Sequence, residues 1–120
     1  MDETTDSHDA LVVGGGLAGL TAGLFVARAG LDTLVVRAGE SILRRNAHLE
    51  NYPGFPAGVN PRTLLDATER QAREAGCAIR PGTVTDVRRA EGPEADAPRF
   101  EVAVDGDRLL ADRVVVATKN

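Results

Sequence analysis

Ala10 to Val13 is a short apolar run with no polar residue, the pattern of a strand covered on both faces. From Leu17 to Ala29 apolar and small residues continue for longer than a strand usually runs. They predict a helix, stopped by Gly30. Leu31 to Val36 predicts a second strand, which a right-handed crossover places parallel to the first in a βαβ unit. Ala38 to Asn60 carries Gly and Pro repeatedly and reads as a long functional loop. Helical spacing returns with Asn60 as cap, Pro61 at the first helical position, and Leu64, Leu65 and Thr68 following until Gly76. Cys77 then opens a buried strand, and Ala78 to Arg80 completes the parallel layer.

Beyond that point the period shortens to alternation. Thr83 to Arg89, then Phe100, Val102 and Val104, read as half-buried strands, with Asp105-Gly106 as a hairpin signal into Arg108 to Ala111. The acidic, Pro-containing stretch Glu91 to Pro98 is a surface connector, and Val114 to Ala117 is a last buried strand. The fold expected is a three-layer α/β arrangement, a short parallel sheet of three strands with a small antiparallel β meander beside it. Residues 1–9 are read as a flexible N-terminus and residues 10–120 as one domain.

Composition narrows the function classes. Hydrophobic residues at 42% support a core, and aromatics at 3% make it an aliphatic one. A net charge of −4 and a pI near 5.1 argue against a basic nucleic-acid surface. No run reaches the length of a membrane span, and Met1 to Asp9 is acidic and polar where a secretion signal is basic and apolar, so the expected location is the cytoplasm. Cys77 is the one cysteine. It permits neither an internal disulfide nor a CxxC pair within this chain, and its apolar setting reads as core packing.

Gly14-Gly15-Gly16-Leu17-Ala18-Gly19, between the first strand and the first helix, is G-x-G-x-x-G. The first glycine of such a motif permits the tight turn, the second lets backbone approach a pyrophosphate, and the third lets helix and strand pack closely. N–H groups at the helix start then face the phosphates, where the helix dipole favours negative charge. Gly14, Gly15, Gly16, Leu17, Ala18 and Gly19 are therefore candidate dinucleotide ligands, against the plainer reading of a tight turn alone. Nothing supplies a nucleophile or a general acid–base pair, so no catalytic side chain and no metal ligand is named. His8 is read as an exposed terminal residue, His48 as an exposed loop residue and Arg44-Arg45 as solvated.

Three landmarks in order, Gly14 to Gly19, His48-Leu49-Glu50-Asn51-Tyr52-Pro53-Gly54-Phe55-Pro56, and Val114-Val115-Val116-Ala117-Thr118, resemble the FAD domain of thioredoxin-reductase-like flavoproteins. The E-N-x-P-G element at Glu50 to Gly54 discriminates, because the other two recur across two-dinucleotide-binding flavoproteins. The resemblance implies a Rossmann-like FAD-binding domain and FAD as cofactor. It assigns Asn51 to the flavin end and carries Val84, Ala117 and Thr118 to the cofactor.

Three departures stand beside it. Where an acid at the end of the second strand would hydrogen-bond the adenosine ribose, this chain has Arg37. Thioredoxin reductases can instead carry a Glu slightly later, which falls on Glu40, the candidate ribose ligand. Arg37 is then solvated, phosphate-adjacent, or set to meet a 2′-phosphate as in NADP binders. Thr118-Lys119 stands where the family has A-T-G. The chain also holds no second G-x-G-x-x-G and no cysteine pair, which the family's NAD(P)H-binding domain would supply.

The resemblance implies an oxidoreductase segment in which electrons pass from NAD(P)H through flavin, acting as a homodimer or with a partner supplying the NAD(P)H-binding part. The alternative is a non-catalytic or degenerate module binding FAD or NAD(P). Whether these residues by themselves constitute an enzyme stays open at this point.

Overall fold

The computed structural model describes residues 6–39, 48–90 and 99–118. Among them the elements run β1 (Ser7–Val13), α1 (Leu17–Arg28), β2 (Thr33–Arg37), α2 (Pro61–Glu74), β3 (Ala78–Pro81), β4 (Val84–Arg89), β5 (Phe100–Val104) and β6 (Asp107–Val116). All six strands form one sheet in the order β3-β2-β1-β6-β5-β4. The β3, β2, β1 and β6 part is parallel, and β5 and β4 follow antiparallel.

The parallel part thus has four strands where the pattern predicts three, because β6 belongs to both regions. Its first half pairs with β5, from Phe100↔Ala111 to Val104↔Asp107, and its second half pairs with β1, from Ala10↔Arg113 to Val13↔Val116. Asp112 and Arg113 interrupt the apolar pattern, so one strand reads as two in the sequence. β1 also begins earlier than its apolar run. Ser7 and His8 pair with Leu110 and Ala111, so residues 7–9 belong to the sheet rather than to a flexible N-terminus. Their polar side chains are met locally: Asp9 accepts from the Asp32 amide at 2.8 Å, and partly buried His8 pairs with Asp32 at 3.1 Å.

Side chains on the two faces of the parallel strands build two cores. Val12 and Val35 point to the helices, where Leu20, Leu24 and Ala27 of α1 and Leu65 and Ala72 of α2 cover them. Leu11, Leu34 and Val36 point the other way and meet Val102, Val104, Leu109 and Ala111 of the meander. Helices, parallel sheet and meander are the three layers. Only Gly82 and Thr83 separate β3 from β4, although these strands are the two edges of the sheet, so the sheet must curl to bring its edges together. The curl is tied by Gly82 donating to Arg37 O at 3.0 Å and Asp105 donating to Thr83 O at 3.1 Å.

The helices start as their sequences dictate. Asn60 Oδ1 accepts from the amides of Arg62 and Thr63 at 2.8 and 3.3 Å, satisfying donors that have no intrahelical partner, and Pro61 sits at the first position. Cys77, just ahead of β3 rather than within it, is 3% exposed and lies under α1 beside Gly23. Burial pushes its thiol pKa up, away from the reactive thiolate. Among the described residues no helix is long and apolar enough to cross a membrane.

Candidate functional site

β1 ends at Val13, and the turn that follows is pinned on both sides. The Gly14 amide donates to Val36 O at 2.9 Å, and the Ala117 amide donates to Val13 O at 2.8 Å. Gly14 has φ of +117°, and a Cβ there would lie 2.5 Å from Ala117 O and 3.2 Å from Thr118 N. A Cβ on Gly19 would strike Gly14 O and reach Val12 Cγ1 at 3.5 Å, so the first turn of α1 rests directly on the glycine turn. Gly14, Gly19, Ala117 and Thr118 therefore converge at one point.

That point has a topological meaning. From β1 the chain proceeds to β2 and β3 on one side, while β6 lies on the other, so the order reverses between β1 and β6. Open α/β sheets bind ligands outside the carboxyl ends of strands at such a reversal. α1 starts there with Gly16 as its N-cap, no side-chain cap and no acid in its first turn. Its first intrahelical bond is Leu20 N–H to Gly16 O at 2.9 Å, leaving the preceding amides at the positive end of the dipole. The cradle fits an anionic pyrophosphate: small, uncapped, and free of carboxylates in the adjoining turn.

Arg37 joins the turn from the end of β2. A Cβ on Gly15 would lie 2.6–2.7 Å from Cβ, Cγ and Cδ of Arg37, so the arginine stem crosses this glycine. Its guanidinium is not simply solvated. Nη1 donates to Glu69 Oε1 at 2.7 Å, with the side chains 27% and 21% exposed. Glu69 also accepts from Arg73 through Oε2 at 3.0 Å. The Arg37 hydrogen bond outweighs partial desolvation and, with Arg73, holds the Glu69 carboxyl below its usual value of 4.5.

Glu69 escapes sequence reasoning. The available signal is an acid on the inward stripe of α2, four residues after buried Leu65 and three before buried Ala72.

Val84 opens β4 and packs into the meander core, two residues beyond the Gly82 amide that bonds Arg37 O. It is thereby brought to the carboxyl end of β2. Asn51 is exposed on a loop closed by reciprocal Leu49 and Val59 bonds of 2.9 Å. There the Tyr52 and Phe55 rings stand 6.2 Å apart, and His48 is seated against Gly58 with Nε2 3.7 Å from Glu50 Oε2. Glu40, Arg44, Arg45 and Lys119 lie outside the described residues. His8 sits at the opposite end of β1 from the turn.

A family model for an FAD binding domain matches residues 9–49, which include most of β1 and all of α1 and β2. The chain is 31% identical over 120 residues to a thioredoxin reductase of Aquifex aeolicus, covering 98% of this chain and 36% of that protein. It is 32% identical over 118 residues to a thioredoxin reductase of Mycolicibacterium smegmatis, covering 97% and 36%. A solved thioredoxin reductase from Gloeobacter violaceus superposes with a TM-score of 0.82 at 28% identity, covering 96% of this chain and 37% of that one. The chain spans about a third of the length of the curated relatives it matches. Matched motif, superposed fold and the turn at the β1–β6 reversal agree: over nearly its whole length the chain corresponds to the FAD-binding segment of thioredoxin-reductase-like flavoproteins.

Proposed function

We propose that residues 10–120 act as one unit that holds FAD at the carboxyl ends of β1, β2 and β6, serving electron transfer from NAD(P)H through the flavin. One observation carries this most: Gly14 seated against Ala117 and Thr118 where the strand order reverses, beside an uncapped helix start. In this reading Gly14, its own amide spent on Val36 O, shapes the turn, and the amides of Gly15, Gly16, Leu17, Ala18 and Gly19 take the pyrophosphate. Arg37 and Val84 take the adenosine side, with Glu40 as a further ribose ligand, and Asn51, Ala117 and Thr118 take the flavin side. FAD, when bound, supplies the two-electron chemistry. The protein residues bind it and orient it, and the first turn of α1 presents no acid to its phosphates.

The NAD(P)H site is supplied by a further part of the protein or by a partner, with a homodimer as the other assembly, and the setting is the cytoplasm. Titration with FAD followed by flavin fluorescence tests the binding. Gly16→Val is expected to weaken FAD by about tenfold or more, whereas Cys77→Ser stays within about twofold of the parent chain. Equal affinity in Gly16→Val and parent would overturn the dinucleotide reading.

A further inference from the structure

Arg37 stands where an acidic ribose ligand is usual, yet a carboxylate is still present beside it, delivered from α2. The stem of Arg37 lies across Gly15 and its Nη1 is bound to Glu69 Oε1 at 2.7 Å, while Oε2 of the same carboxylate is bound to Arg73. A guanidinium carries five N–H donors in a fixed plane, so anchoring one nitrogen sets the direction of the others. We propose that Glu69 is a positioning residue, which holds Arg37 over the glycine turn so that its remaining donors meet the adenosine-side phosphate and ribose of the bound dinucleotide. This rests on the FAD reading above and adds to it a residue that no G-x-G-x-x-G pattern contains.

Geometry restricts where the effect falls. Arg37 ends β2, which lies on the far side of β1 from β6, whereas Ala117 and Thr118 lie at the β6 side of the same turn. A ligand spanning the turn has one half near Arg37 and the other near Thr118. A loss at Glu69 should therefore be felt by ligands that carry the adenosine half and not by those that lack it. A merely structural role for Glu69 in α2 would affect both alike.

The test measures binding to the full 120-residue chain of FAD, of ADP as competitor, and of FMN, which lacks the adenosine half. Glu69→Gln keeps the shape of the side chain and removes its charge. It is expected to weaken FAD and ADP by about five- to tenfold, the scale of one charge-assisted contact, with FMN changed less than about twofold. Combined with Arg37→Gln, which retains the stem over Gly15, Glu69→Gln should add no further loss, because the two act as one unit. Should Glu69→Gln fail to fold, Arg37→Gln alone reads the same point through its FAD-to-FMN ratio.

Wild-type FAD affinity in Glu69→Gln, an equal loss of FMN, or additive losses in the double variant would each overturn the proposal while leaving FAD binding itself standing. An Arg37→Gln chain that keeps its FAD-to-FMN ratio would do the same. A parent chain that takes up no FAD would overturn the function reading and this inference together.

Discussion

Gly14 combines a φ of +117° with a neighbouring carbonyl that a Cβ would approach to 2.5 Å, so neither conformation nor space admits a side chain. Gly14→Ala is expected to cost about 1–3 kcal/mol from backbone strain, before the contact with Ala117 is counted, and to read out as a lower urea midpoint. An unshifted midpoint would mean that the turn relaxes. Glu69 gives a prediction in pH. Its carboxyl is held below 4.5 in the folded chain, chiefly by Arg37, so the unfolded chain takes up its proton first as pH falls. The stabilisation is complete above the unfolded value and disappears as pH drops through the lowered folded value. Parent and Glu69→Gln should therefore differ in urea midpoint at neutral pH and converge in acid; a gap independent of pH would contradict the charged pair. The glycine turn was legible in the sequence because its spacing is local. The Arg37–Glu69 contact was not, since it joins residues 32 positions apart whose meeting depends on where α2 lands.

At the scale of elements, the predicted strands and helices survive where one environment governs the whole segment. α1 reads correctly because Gly19, Leu20, Gly23, Leu24 and Ala27 recur on the face that meets the sheet. The hairpin reads correctly because Asp105 and Gly106, with φ of 50° and 88°, have the pair of positive values that an Asp-Gly turn supplies. β6 does not, since half of it faces the meander and half the parallel sheet. Its inward positions pass from Leu109 and Ala111 to Val114, a change of parity that alternation cannot forecast.

β4 is an exposed edge, and its charged residues, with Arg88 bonded to Asp86 at 2.9 Å, discourage pairing with another chain. α2 depends on its cap to present Leu65 and Ala72 to the core and Glu69 to Arg37. Asn60→Ala is expected to lower stability by about 1 kcal/mol through the lost bonds to Arg62 and Thr63, measured by denaturant unfolding. Loss of helical circular dichroism without any stability change would refute the cap as its anchor.

Viewed whole, the molecule divides its labour between two cores and one open edge. The helix-side core fixes α1 against β1, and the meander-side core fixes β6 against the same strand, so the glycine turn and Ala117 are held from both faces. At that edge Val116 is 69% exposed, an apolar side chain beside the proposed flavin-end residues. Reduction of a disulfide by NAD(P)H needs two further things, a nicotinamide aligned with the flavin and a reactive dithiol. The chain has one glycine fingerprint, and its single cysteine is 3% exposed, with its thiol held in the protonated form by burial. Without alignment, hydride transfer forfeits the positioning that supplies much of its acceleration. The 120-residue chain loaded with FAD is therefore expected to show no NAD(P)H-dependent reduction of thioredoxin or of an aromatic disulfide dye, followed by nicotinamide absorbance. Slow electron transfer from a chemically reduced flavin to small artificial acceptors is compatible with the open edge. Sustained NAD(P)H turnover by this chain with no partner added would place a nicotinamide site within these residues and contradict the assignment of that site to another part or partner.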